Sequence, residues 1–86
     1  MRNKVSVWDR QTWSAIREVK GITYAELAKA CDVYEGTPEK WFRGERNPKL
    51  KHQIAMAKAL GIPLRSILAD IKDPEIRAVI RAAYTD

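Results

Sequence analysis

In the run Gly21-Ile22-Thr23-Tyr24-Ala25-Glu26 the signal that ends one helix stands almost against the signal that starts the next. Glycine accepts the left-handed conformation that stops a helix. Thr23 with Glu26 forms a capping box, each side chain placed to bond the other's backbone N–H. The same punctuation recurs along the chain. Asp9 can cap a first helix with Trp13, Ile16 and Lys20 on one face. The capping box opens a second helix through Leu27, Ala28 and Cys31, and Asp32 follows where the chain should turn left-handed, which aspartate tolerates. A later helix runs from about Leu50 to Leu60, with Leu50, Ile54, Ala57 and either Ala55 or Met56 inward, and Gly61 stops it. Pro63 can start a short helix containing Leu64, Ile67 and Leu68. Finally, Asp73-Pro74-Glu75 supplies a cap, a proline at the first helical position and an acid in the first turn. Ile76, Val79, Ile80, Ala83 and Tyr84 then share one face. Strand-like alternation appears only in "KVSVW". The pattern predicts an all-α protein.

A chain of 86 residues is one domain. At this size it buries only roughly 60–65% of its unfolded surface, so its stability is modest. Cys31 is the only cysteine and His52 the only histidine, which leaves neither an internal disulfide nor a metal cluster. No cofactor is expected. His52, among lysines, is expected to face solvent, and with no nucleophilic constellation or phosphate-cradling glycine loop the chain does not read as an enzyme. The N-terminus lacks an apolar signal region and no apolar run could span a membrane, so a cytoplasmic setting is expected.

The net charge is +5, unevenly spread. Residues 1–20 carry five basic and two acidic side chains, and residues 35–52 carry five basic and three acidic. The tail from Asp70 to Asp86 has three basic and four acidic residues. Two positive zones and a slightly acidic tail suit a protein with one side turned toward a polyanion.

"GITYAELAKA", "WFRGERNP" and "IAMAKALGIPLRSIL" together resemble the phage-repressor and Cro-type helix-turn-helix family, also called the XRE family. The resemblance runs from about Trp13 to Leu68. It implies a five-helix repressor-like domain over residues 1–69 with a short N-terminal arm, followed by an additional C-terminal amphipathic helix over 70–86. It further implies a third helix that enters the major groove of double-stranded DNA, and a second helix whose N-terminus meets a phosphate. By position, Thr23 and Tyr24 fall at the phosphate-contacting start of the second helix. Glu35, Gly36, Thr37 and Lys40, with Tyr34 beside them, fall on the base-reading positions. Arg43, Arg46 and Asn47 fall on the backbone-contacting corner. Leu27, Ala28, Cys31, Val33, Trp41, Ile54 and Leu60 fall on core positions. Regulators of phages or mobile elements and antitoxins are the common settings the resemblance implies, and a repressor acting as a homodimer is expected.

Three features depart from the family pattern. Pro38 stands where a buried aliphatic residue is usual. Proline disfavours a helical residue before it, and "TPE" is a good helix start, so the third helix is expected at Pro38 with Thr37 as N-cap, after a long turn from Asp32 to Gly36. Phe42 replaces a common glutamate and leaves Arg17 without that partner; stacking on Phe42 or Trp41 is one outcome. The stripe Ile76, Val79, Ile80 and Tyr84 must be covered either by its own domain, with Trp8 and Trp13 as candidates, or by a second copy. A protein-binding scaffold, antitoxin- or inhibitor-like, with the third helix and Phe42 as interface is the alternative function.

Overall fold

The computed structural model describes residues 7–69 and 71–85. The helices are α1 (Arg10–Lys20), α2 (Tyr24–Cys31), α3 (Thr37–Phe42), α4 (Leu50–Leu60), α5 (Leu64–Leu68) and α6 (Pro74–Thr85). The arm of residues 1–6 and Asp70 lie outside the described residues.

Side-chain caps and left-handed stops set many of the boundaries. The Asp9 carboxylate accepts from the Thr12 backbone N–H at 3.2 Å and from the Thr12 hydroxyl at 2.9 Å. These bonds, the backbone one foremost, hold the Asp9 carboxyl below its ordinary pKa. In the capping box the Glu26 N–H donates to Thr23 Oγ1 at 3.1 Å, and the Thr23 N–H donates to Glu26 Oε1 at 2.8 Å. Gly21 and Gly61 close α1 and α4 in the left-handed region. Asp32 closes α2 with φ of 56°, the only described non-glycine residue at positive φ. Its backbone N–H and that of Val33 satisfy the last carbonyls of α2.

The start of α3 differs from the sequence expectation by one residue. Thr37 is already helical, its side chain makes no cap bond, and Gly36 holds the cap position with φ −79° and ψ −8°. The reason is a turn that feeds the helix directly. The Thr37 N–H donates to the Tyr34 carbonyl at 2.9 Å, and Gly36 has the dihedrals of the third residue of a type I turn. Pro38, second in the helix, has no N–H to leave unpaired in that first turn. It is fully buried, so it still fills the apolar position. Replacing Thr37 by alanine is therefore expected to change stability by less than about 0.5 kcal/mol, against roughly 1 kcal/mol for a capping threonine. Equilibrium urea unfolding distinguishes the two.

The helix α4 is the hub, packed on α1, α2 and α6. Leu27, Met56, Leu60 and Ile80 are fully enclosed, and Trp13, Trp41, Phe42, Ile54, Ile67 and Leu68 complete the cluster with them. Two polar residues tie distant segments together. Lys20 Nζ donates to the Leu60 carbonyl at 2.6 Å, a cation at the C-terminus of α4. The buried Gln53 accepts from the Val7 N–H at 2.8 Å and donates to the Pro48 carbonyl at 2.8 Å.

The helix α6 starts as its sequence suggests, with the Glu75 N–H donating to Asp73 Oδ1 at 2.9 Å. It rests on α4 and α5; α1, which carries Trp13, is not among its neighbours. Ile80 is enclosed, and Ile76, Ala83 and Tyr84 are half-buried against the core. Val79 is 59% exposed and lies outside the packed stripe. Arg77 donates from one nitrogen to the carbonyls of Leu68 at 2.9 Å and Ile71 at 2.8 Å. The junction before α6 is thereby stitched to α5, and Ile71 itself is buried.

Candidate nucleic-acid interface

Helix α2, the five-residue turn from Asp32 to Gly36, α3 and the corner to Asn47 form one continuous edge of the molecule. The inner side of α3 is committed to the core through Pro38, Trp41 and Phe42. Its outer side carries Lys40 and Arg43, both exposed, and Arg46 and Asn47 are exposed just beyond. Ahead of the helix, Tyr34 is 82% exposed and Glu35 is exposed, while Gly36 and Thr37 are half-buried. The Tyr34 ring folds back over Gly36, where an added Cβ would stand 3.2 Å from ring carbon Cε2. The sequence-predicted residues of this segment are thus all exposed or half-buried.

Two of those residues have structural duties as well. Thr23 spends its side chain on the capping box. Tyr24 is half-buried beneath the Arg17 guanidinium, whose Cζ stands 4.2 Å from the ring centroid. Arg17 also donates to the Ile22 carbonyl at 2.9 Å, and its buried Nε has no partner among the described residues. The arginine therefore stacks chiefly on Tyr24, with Phe42 second at 5.8 Å. Phe42 itself is only 8% exposed and sits edge-on to Trp8 at 5.1 Å. A buried ring cannot anchor a partner protein, so the alternative interface built on Phe42 is corrected.

Between Tyr34 and Asn47 the charges cancel. Residues 34–47 contain Glu35, Glu39 and Glu45 against Lys40, Arg43 and Arg46. Glu39 pairs with Arg43 one helical turn on at 2.5 Å, and Glu45 approaches the same arginine at 3.8 Å. Exposed pairs of this kind are worth about 0–1 kcal/mol, so a phosphate can displace either carboxylate.

His52 is not the solvent-facing residue expected. It is half-buried and stacked on Trp41, with ring centroids 5.3 Å apart and planes 28° from parallel. Burial lowers its pKa below the model-compound value of 6.5, and Lys51 and Lys49 add to the shift. The folded state thus disfavours the imidazolium that the unfolded chain accepts. The His52 contribution to stability is expected to be full above about pH 6.5, to decline as pH falls through that value, and to level off below the folded pKa. A His52→Gln variant is expected to flatten this part of the melting-temperature profile. Asp9 and Glu26, whose carboxyls are held below their ordinary pKa, stabilise the fold at neutral pH, and that contribution is lost only as pH falls through the carboxylate range.

Among the described residues no three of His, Cys, Asp and Glu gather as a metal site. Burial pushes the Cys31 thiol up to about 11, so it stays protonated at neutral pH and is a poor nucleophile. No helix among the described residues is long and apolar enough to cross a membrane.

Two adjacent helices joined by a turn, with the second presenting an outer face held by its buried inner one, define a helix-turn-helix. The family model described as helix-turn-helix matches residues 14–67, more than half of the chain. The chain belongs to this family, in its XRE type, and is of the DNA-binding regulator kind. No curated protein and no solved structure gives a significant match.

Proposed function

We propose that this protein is a sequence-specific regulator that occupies an operator in double-stranded DNA and represses by blocking access to it. The observation that carries the reading is the outer edge of α3. Lys40 is exposed on this short helix, whose position is fixed by the buried Pro38, Trp41 and Phe42, and Arg43, Arg46 and Asn47 are exposed at its exit. A helix so anchored can enter a major groove without loosening the core. Lys40, with Tyr34, Glu35, Gly36 and Thr37 at the leading turn, would meet base edges; Glu35 can accept from a cytosine amino group. Arg43, Arg46 and Asn47 would meet phosphates on one side, and Thr23 and Tyr24 at the start of α2 on the other. Binding as a homodimer to a palindromic site is part of the proposal, since two-fold sites give each half-site one recognition helix. The cytoplasm is the proposed location.

Gel-shift titrations on DNA from the protein's own genomic neighbourhood, against scrambled duplexes of equal length, test this. Preferential binding to one native segment supports the regulator. Equal, salt-sensitive binding to every duplex contradicts sequence specificity. Within that assay, Arg46→Ala is expected to weaken binding to all sequences alike and to reduce the salt slope by about 0.9, one phosphate's worth. A changed base preference at unchanged slope would reassign Arg46 to base reading.

A further inference from the structure

The three cations of residues 34–47 are matched by three carboxylates, so that segment carries no net positive charge. The fold brings a further cation to it from the other positive zone of the chain. Arg10, the first residue of α1, extends to the exit of α3. A Cβ built on Gly44 would stand 2.5 Å from Arg10 Nη1 and 3.0 Å from Arg10 Cζ. Gly44 has φ of 81°, so it serves the corner twice: it takes the left-handed turn, and its missing side chain leaves the space the guanidinium fills. This stacks Arg10 against the backbone between Arg43 and Arg46.

Stability does not account for an arginine at this place. A cation in the first turn of a helix opposes the helix dipole, and the acidic group at this end of α1, the N-cap Asp9, is bonded to Thr12 rather than to Arg10. Arg10 is exposed and forms no ion pair with a carboxylate among the described residues. Arg43, by contrast, already faces Glu39 and Glu45. Of the two arginines at this corner, Arg10 therefore has its fork of donors uncommitted to a carboxylate.

We infer that Arg10 is a phosphate-contacting residue, seated on Gly44 so that α1 and the exit of α3 grip the same DNA strand. The inference rests on the DNA-binding reading above and adds α1 to the surface. It assigns Arg10 affinity without sequence preference, because a phosphate carries none.

Fluorescence anisotropy with a labelled duplex of mixed sequence, followed over a range of salt concentrations, tests it on the whole chain. Arg10→Gln is expected to bind several-fold more weakly and to lose about 0.9 from the slope of log K against log salt. Arg10→Lys is expected to recover most of that slope as a point charge. Thermal melts of both variants are expected to match the parent; a lowered melting temperature with unchanged slope would make Arg10 a structural clip and overturn the inference. Parent and Arg10→Gln curves that coincide overturn it too, while leaving DNA binding intact. A parent chain that binds no duplex overturns the DNA-binding reading, and the role of Arg10 falls with it.

Discussion

Replacing Trp41 by alanine is expected to cost about 3–5 kcal/mol, the usual range for a buried tryptophan. Trp41 is 3% exposed, sits on the inner side of α3 and stacks on His52 of α4. The whole 86-residue domain has roughly 4–13 kcal/mol to lose, at 0.05–0.15 kcal/mol per residue. Because α3 is only six residues long, it has no helical stability of its own to fall back on. The variant should lose much of its cooperative melt, and DNA binding with it, although Trp41 touches no DNA in the proposed complex. Urea unfolding followed by far-ultraviolet circular dichroism reads the effect. A loss below about 1 kcal/mol would mean that α3 is held by something other than its inner side.

The second large effect is expected at α6. Ile80 is fully enclosed, so Ile80→Ala should cost about 2–5 kcal/mol. Truncation after Asp73 should cost more, because it also removes Ile76, Tyr84 and the two Arg77 bonds that hold the ends of α5 and the junction. If α6 stabilises its own domain, the melting temperature falls by the same amount at every protein concentration. A drop that shrinks as concentration rises would instead make a second copy the partner of α6. Val79→Ser, on the exposed side, is expected to change stability by less than about 0.5 kcal/mol in the monomer.

Much of this fold is legible in the sequence because its helix ends are local events. The caps at Asp9, Thr23 and Asp73 are bonds within two or three residues, and the stops at Gly21, Asp32 and Gly61 are single-residue conformations. The start of α3 was less determined. A threonine cap and a type I turn from Tyr34 compete for the same segment, and the turn's backbone bond wins without help from the threonine side chain. Val79 falls at the rim of its stripe, where helical spacing alone cannot decide between core and solvent. The polar links are long-range, and no periodicity encodes them. Lys20 reaches Leu60, Gln53 reaches Val7, and Arg10 reaches Gly44. Of the interface, the exposed cations could be placed from the family pattern. The pairing of Arg43 with Glu39, and the burial of Phe42, required the packed structure.

In the proposed complex the outer edge of α3 faces double-stranded DNA. Titrating the isotopically labelled protein with duplex DNA, and following each backbone amide by NMR, tests it most directly. The largest shifts are expected from Tyr34 to Asn47, at Thr23 and Tyr24, and at the first turn of α1, with the outer side of α6 around Val79 nearly silent. Shifts concentrated on α6, or none at all on α3, would contradict it.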